Sequence, residues 1–392
     1  MSHYPCIVVG AGIAGSVLAQ CLRRKNMAVA VFERAKQSST RNNYGITLSK
    51  RTYRSLLDLL KISESEFQRQ VAVHSPRVDT GAASLKGDLK AVQDETSLRV
   101  NRFSLLNLLR QDLDIKWEHN LTAVDGTAKS DLGSCKFQHG TEEQEYTFSV
   151  LFGADGVHST TRSFLNSSES AFQSKVLPYV VFNGKRRLAI GDAAEELLTE
   201  CFRLPNGISH RKSNTVLSIK PDFQDTESRM IGISYTLSRP AGDGDDLLLN
   251  RSVSEAEKLA ERFVTEVSIL GELPRPFDEV FNPEVMGKDR LLHWLMRSSL
   301  LQVPLAQSGQ TQKAGNVILL GDAAHGQPIP GNGANEAIED ALEFAKHIRV
   351  EDGPLRIDKG AINERSKHWA QARQDSEQAM HDMHSGRPHA SI

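Results

Sequence analysis

The chain of 392 residues is short of everything that would mark an exported, metal-bound or nucleic-acid-binding protein. Its four cysteines, Cys6, Cys21, Cys135 and Cys201, lie far apart with no C-x-x-C or Cys/His spacing. A disulfide framework and a zinc site are therefore excluded, and no metal is expected. Cys6 and Cys21 read as small core hydrophobes. The formal net charge is −2 with both signs interspersed, so no face is offered to nucleic acid or to an anionic membrane. No run of eighteen apolar residues occurs, and MSHYPCIVVG enters an apolar strand with neither a charged leader nor a small-residue cleavage site. A cytoplasmic protein without a membrane segment is the expectation, which leaves the N-x-S/T triplets at Asn120, Asn166 and Asn250 as chance matches. Aromatic residues make up 6%, too few to say what kind of pocket they would line. Repeats and low-complexity segments are absent as well.

What is present begins with length, since 392 residues exceed what one hydrophobic core usually serves and two lobes are expected. The N-terminus reads as strand CIVV (6–9), GAGIAG (10–15), helix SVLAQCLRRKN (16–26) and strand AVAVFER (28–34), a β-α-β unit of a parallel sheet. LRVNRFSLLNLLR (98–110) reads as a helix with Leu105, Leu106, Leu108 and Leu109 on one side, and residues 113–150 as a β-meander. Longer alternating strands at 176–183, 214–220 and 230–237 indicate a largely antiparallel second lobe. A helix follows whose cap is Ser252 or Ser254 and whose core stripe is Leu259, Phe263 and Val267. The chain then returns through 291–300 to strand NVILLGD (316–322) and helix 335–348. It ends in a polar helix over 361–382, with Trp369 as its only large anchor, and a tail.

GAGIAG matches G-x-G-x-x-G. Gly10 permits the tight turn, Gly12 lets backbone approach a pyrophosphate, and Gly15 lets helix and strand pack closely, with Ile13 and Ala14 opening the helix. The anion would sit on the helix N-terminus. The next strand ends in Glu33, followed by Arg34, and a carboxylate at 33 accepts bonds from ribose hydroxyls while repelling a 2′-phosphate. The resident nucleotide is thus FAD or NAD, and this segment does not choose between them.

Two distant segments bear on that choice. GADGVHSTTR (153–162) and GDAAHGQPIPGNGANEAIEDA (321–341) each place a carboxylate, Asp155 or Asp322, at a strand end beside a glycine. With GAGIAG and Glu33, they resemble the three fingerprints of the group A FAD-dependent monooxygenases with the p-hydroxybenzoate hydroxylase fold, in particular fungal secondary-metabolite tailoring members. The resemblance spans residues 4–348. GDAA also occurs at 191–194, where no prolines and glycines follow, and is read as a decoy.

The resemblance implies an α/β fold in which a Rossmann-like FAD-binding domain with a parallel sheet carries a smaller, mostly antiparallel substrate domain. The expected boundaries are 1–70, 98–170 and 298–350 for the FAD-binding domain and 171–297 for the substrate domain. A substrate-domain insertion is expected at 71–97, and 351–392 as C-terminal helix and tail. In such a site Asp322 holds the ribityl chain, while Gly333, Ala334 and Asn335 open a helix aimed at the pyrimidine edge of the flavin, where a partial positive charge stabilises its reduced anion. Arg102 is expected on FAD phosphate or ribityl oxygens, Gly45 close to the cofactor, and Asp155 on both FAD and the nicotinamide donor. His325 to Asn335 is one residue shorter than the family's spacing, so the loop beside the flavin is shaped differently.

Transient NADPH or NADH binding, reaction with O2 and a flavin C4a-hydroperoxide are what the family implies, acting on an aromatic or heterocyclic small molecule. A second dinucleotide fingerprint, F-x-G-x-x-x-H and W-x-W-x-I-P are missing, which disfavours two-nucleotide-domain enzymes and flavin halogenases. An arginine on the second-lobe sheet reaches the flavin–substrate interface in similar fungal enzymes. Here Arg186 and Arg187 are adjacent in a strand, so one at most fills that role. Tyr179, Tyr235 and His293 are further candidate substrate contacts. Two alternatives remain open: an oxidase or reductase on the same scaffold, and a catalytically silent FAD-binding protein.

Overall fold

A continuous apolar strand must be covered on both faces, and Cys6–Val9 obeys this by forming the centre of a sheet with helices on one side. The computed structural model describes residues 2–39, 43–73, 97–125, 132–165, 172–189, 207–225, 228–248, 256–301, 316–328, 332–350 and 355–385. In chain order the first lobe contains β1 (Ser2–Val9), α1 (Ile13–Arg24), β2 (Val29–Glu33), β3 (Gly45–Ser49), α2 (Lys50–Leu60), α3 (Glu64–Val71), β4 (Ser97–Asn101) and α4 (Arg102–Leu109). It continues with β5 (Ile115–Trp117), β6 (His119–Asp125), β7 (Gly133–His139), β8 (Glu142–Gly153) and α5 (Thr160–Leu165).

β1 pairs in parallel with β2 on one side and β8 on the other, and the sheet runs β5-β2-β1-β8-β7-β6. The meander expected over 113–150 is β6, β7 and β8, while β5 instead joins β2 in parallel at the far edge. α1 is buried at every position from Ile13 to Leu22, because it is wedged between this sheet and a late helix. That explains why its sequence is small and apolar on all sides.

One expected helix is half strand. Residues 97–101 pair antiparallel with β3, and only 102–109 are helical, with the Asn101 side chain capping by accepting from Ser104 N–H at 3.0 Å. The alternation Leu98-Arg99-Val100-Asn101 outweighs the leucine pattern that follows. All four leucines of α4 are buried, on both sides of a helix sunk in the core rather than along one stripe.

The second lobe contains β9 (Phe172–Ala189), β10 (Ile208–Lys212), β11 (Thr215–Asp225), β12 (Met230–Pro240), α6 (Ala256–Ile269) and β13 (Arg290–Leu301). Its five strands form one antiparallel sheet, order β10-β11-β12-β9-β13. β13 crosses the boundary expected at 297. One face carries Val180, Phe182, Ile219, Ile233 and Tyr235 and packs on Phe263 and Val267 of α6 and on Phe277 and Phe281. Each such side chain stabilises the lobe by roughly 1.5–3 kcal/mol. The expected caps Ser252 and Ser254, residues 74–96 of the insertion expected at 71–97, and the decoy GDAA at 191–194 lie outside the described residues.

The chain returns as β14 (Val317–Leu319), parallel to the end of β8, and enters α7 (Gly333–Lys346). A small hairpin, β15 (Ile348–Val350) and β16 (Leu355–Ile357), leads to α8 (Lys359–Ser385). Trp369 is the large anchor of α8 among the described residues, with Ile362, Met380 and His384 buried as well. Among the described residues no helix is long and apolar enough to cross a membrane, and no His/Cys/Asp/Glu group could hold a metal. Cys6, Cys21 and Cys135 are buried free thiols; burial raises all three, Cys21 and Cys135 to about 12, so they are unreactive core residues.

Candidate active site

The three fingerprint glycines separate by what a side chain would meet. A Cβ on Gly15 would lie 2.0 Å from the Gly10 carbonyl oxygen, and one on Gly10, with φ +102°, 2.5 Å from the Ala154 carbonyl oxygen. Both are glycine for reasons internal to the fold. A Cβ on Gly12 would have a single neighbour, the Ala154 carbonyl oxygen at 4.0 Å. Protein packing does not require glycine there, whereas backbone approach by a pyrophosphate would.

Around this turn the polar groups converge. Glu33 accepts from the backbone N–H of Ala11 and of Ala35, both at 2.8 Å, which fixes its carboxylate beside the loop. Arg110 donates through Nε and Nη2 to the Ala11 carbonyl at 2.9 and 2.6 Å, its guanidinium lowered by burial. Ile13 and Ala14 are buried in the first turn of α1, and Arg34 is exposed. Arg102 lies near this group and near Asp322, stacks 5.5 Å over the Tyr44 ring, and carries a buried Nη1 with no hydrogen-bond partner. An orphaned guanidinium nitrogen between the glycine turn and the late aspartate suits an anionic cofactor.

Asp322 sits at the strand end before α7. Its side chain is exposed, yet the surrounding protein raises its carboxyl by desolvation, against the pull of His325 and Arg102. A carboxyl that is both accessible and ringed by protein lines a recess rather than the outer surface. A Cβ on Gly333 would lie 3.7 Å from Asp322 Oδ1, so the carboxylate flanks the start of α7, where Asn332 supplies no side-chain cap. The first N–H groups of this fourteen-residue helix thus face the recess edge with its positive dipole end. Ala334 is part of that first turn. Asn335 is 5% exposed; it accepts from Ser49 N–H at 2.9 Å and donates to the Thr47 carbonyl at 3.2 Å, tying α7 to β3. Ile329–Gly331, in the shortened loop, lie outside the described residues.

Asp155 is occupied within its own turn. It accepts from Ser159 Oγ at 2.5 Å and from Thr161 N–H and Oγ1 at 2.9 and 3.1 Å, so it caps α5. Arg162 on that helix donates to the Ala323 carbonyl at 2.8 Å, which joins the second fingerprint to the third. Gly45 also has a reason within the protein. Its N–H donates to Asp222 Oδ1 at 2.9 Å, and a Cβ would lie 2.5 Å from the Pro221 carbonyl oxygen, making it a contact between the lobes.

On β9 the two arginines face oppositely. Arg186 pairs with Asp289 at 2.7 Å, donates to the Val280 carbonyl at 2.8 Å and lies over Tyr235, on the helix-covered side. Arg187 is exposed on the other side, 5.8 Å over Phe223. That second side also carries Lys185, whose Nζ is 4.8 Å over the Tyr44 ring and 3.4 Å from the Asn43 carbonyl of the first lobe. Tyr44 is therefore flanked by Arg102 and Lys185. Tyr235 is fully buried with its hydroxyl on Asp289 at 2.6 Å, and His293 pairs across from Phe182 on the same helix-covered face. Tyr179 is under α8, stacked 4.7 Å from His384.

One network was not foreseen from sequence. Asp340 of α7, fully buried, accepts from Gly321 N–H at 2.9 Å, His325 Nε2 at 2.6 Å, Arg365 Nε at 2.6 Å and Trp369 Nε1 at 2.9 Å. Burial would raise its carboxyl, but His325, Arg365 and Trp369 together hold it well below the usual range. The strand-end turn, α7 and α8 meet at this one carboxylate, with His325 stacked on Trp369.

Comparison with known proteins accords with this architecture. A family model described as an NAD(P)-binding Rossmann-like domain matches residues 8–44. The chain is 27% identical over 384 residues to FAD-dependent monooxygenase aptC of Emericella nidulans, covering 90% of this chain and 88% of that one. It is 25% identical to FAD-dependent monooxygenase vrtH of Penicillium aethiopicum, covering 87% and 83%. Among solved structures, an FAD-containing monooxygenase of Photorhabdus luminescens, described as putative in its name, superposes with TM-score 0.67 at 20% identity over all of both chains. PqsL of Pseudomonas aeruginosa in complex with 2-aminobenzoylacetate superposes with TM-score 0.67 at 17% identity, covering 98% and 97%. The fold is that of FAD-dependent monooxygenases, and the sequence relatives of the chain carry that name.

Proposed function

We propose that this chain, a relative of the fungal FAD-dependent monooxygenases and sharing their two-lobed fold, is itself an FAD-dependent monooxygenase of secondary metabolism. What supports the reading is a run of neighbouring groups from three separated segments: Glu33 bonded to the glycine turn of Gly12, the orphaned Arg102 Nη1 near Arg110 and Asp322, and Asp322 beside the uncapped start of α7. Gly12 and the start of α1 would take the pyrophosphate, Glu33 the adenosine ribose, Arg102 a phosphate or ribityl oxygen, Asp322 the ribityl chain, and α7 the pyrimidine edge. Bound there, FAD would supply the redox chemistry, with NADH or NADPH as electron donor and O2 as oxidant.

The protein's part is positional and electrostatic. The start of α7 favours negative charge beside it, and Asp340, His325 and Arg365 hold that helix against the strand-end turn. The second-lobe sheet, bearing Lys185 and Arg187, would close the recess from the other side and orient a small aromatic or heterocyclic substrate. One similar structure holds 2-aminobenzoylacetate, a small aromatic molecule, on this fold. Anaerobic titration of the flavin-loaded protein with NADH and NADPH tests the reading, followed by a substrate panel under 18-labelled oxygen. Donor-dependent bleaching and label in the product are expected. Substrate turnover without label would favour an oxidase instead.

A further inference from the structure

The face of the second-lobe sheet that meets the first lobe carries more positive charge than its structure uses. Across the strands, Lys220 stands opposite Ser234 and Ser234 opposite Lys185, so all three project from one face. Arg99 of β4 reaches the same corner and donates to the Pro221 carbonyl at 3.0 Å. The carboxylate there is Asp222, 3% exposed and already bonded to Gly45 N–H and Ser234 Oγ. Arg99 Nη2 and Lys185 Nζ stand 3.8 and 3.9 Å from it, beyond hydrogen-bond reach. Among the described residues the Lys220 side chain makes no hydrogen bond or close ion pair.

Beside this row lies a second one, Ser218, Thr236 and Asn183, on the same face. Asn183 is 2% exposed. Its Nδ2 reaches the Tyr235 carbonyl and Thr236 Oγ1 at 3.3 Å, while its Oδ1 is buried without a donor. Among the described residues no hydrogen bond or close ion pair meets the Lys220 ammonium and no donor meets Asn183 Oδ1. The two groups stand two strands apart on this face, and each weakens the native state. A ligand with the complementary groups would satisfy both. Ser209, Ser218, Ser234 and Thr236, all half-buried, make the remainder of the floor polar.

We infer that this floor recognises an organic anion: an acidic group of the substrate, a carboxylate or an ionised phenol or enol, pairs with Lys220 and Lys185, and a hydroxyl or N–H elsewhere on the molecule donates to Asn183 Oδ1. The inference rests on the oxygenase reading for what becomes of the molecule, but not for its binding. Burial, with Arg99 adding repulsion and Asp222 opposing it, brings the Lys220 ammonium down to about 8. The groups facing Lys220 are thus Arg99 from β4, Asp222 on its own strand and Lys185 beyond Ser234. For a carboxylate, affinity should accordingly hold below pH 8 and fall above it.

The test uses two matched pairs of probes, 2-hydroxybenzoate against 2-hydroxybenzamide and 4-nitrophenolate against 4-nitroanisole. Each is titrated into the purified protein with and without FAD by thermal shift, and with FAD by flavin difference spectra. At least one anion should bind about tenfold or more tightly than its neutral partner, and the pair that does so tells carboxylate from phenolate. Lys220→Met should erase the preference, Lys220→Arg should keep much of it, and Asn183→Asp should weaken the anion. Lys220→Met removes a poorly compensated charge for an apolar side chain of similar length, so it should fold. Equal affinity within both pairs, an unchanged preference in Lys220→Met, or no binding of any probe overturns the inference. An anion preference in protein that fails to bind FAD would sink the oxygenase reading while leaving this one standing.

Discussion

Replacing Asp340 by Asn should destabilise the protein more than any other single exchange that keeps side-chain shape. Each carboxylate oxygen is used twice: Oδ2 by Gly321 N–H and His325, Oδ1 by Arg365 and Trp369. Whichever way the amide is turned, its NH2 faces two donors, so two hydrogen bonds are lost and the buried negative charge with them. Arg365 keeps Glu336 at 2.6 Å, which limits the damage on that side. Breaking a buried charge network by removing one partner costs roughly 3–5 kcal/mol. Urea unfolding of wild type and Asp340→Asn at pH 7.5 measures it. The pH dependence has a definite sign. The folded carboxyl lies below its unfolded value of about 4, so its contribution is fully present above that pH and is lost only as pH falls further, through the folded value. The gap between the two proteins should therefore be flat from pH 8 to 5 and shrink below 4. A loss under about 1 kcal/mol, or a gap that closes near neutrality, would refute the reasoning.

Four other exchanges separate packing from ligand contact. Gly15→Ala places a Cβ on the Gly10 carbonyl and should cost about 1–3 kcal/mol or more, read in the urea midpoint. Gly12→Ala should leave stability unchanged within about 0.5 kcal/mol while weakening FAD about tenfold by fluorescence titration. Arg102→Ala should likewise weaken FAD roughly ten- to a hundredfold, with little change in stability beyond the roughly 0.5–1 kcal/mol of its stacking on Tyr44. Trp369→Ala removes the buried anchor of α8 at a cost of about 3–5 kcal/mol, and limited proteolysis should then cut within 359–385 before the rest of the chain.

Periodicity made much of this fold legible, because the central strands, α1, the meander and the second antiparallel sheet are each marked by strong local patterns. It failed at 97–101, where a five-residue strand runs straight into a leucine-rich helix, and local pattern cannot see the partner strand β3 that decides the matter. The glycine turn, Glu33 and the late aspartate could be placed from sequence, since their spacing reflects backbone geometry. Residues whose role depends on which lobe they meet could not. Gly45 and Asp155 find their partners within the protein, Arg186 turns to the helices, and Lys185, Lys220 and Asn183 acquire meaning only from cross-strand register. Asp340 is an ordinary helical aspartate in sequence, and becomes a junction only when α8 folds over it.

The most direct measurement is the visible absorption spectrum of the purified protein, followed by titration of flavin-free protein with FAD. One tightly bound FAD per chain, with binding weakened by Gly12→Ala and Arg102→Ala but not by Arg186→Met, is the predicted result. A colourless protein that cannot be reconstituted, or FAD binding indifferent to both exchanges, would contradict the site proposed for it.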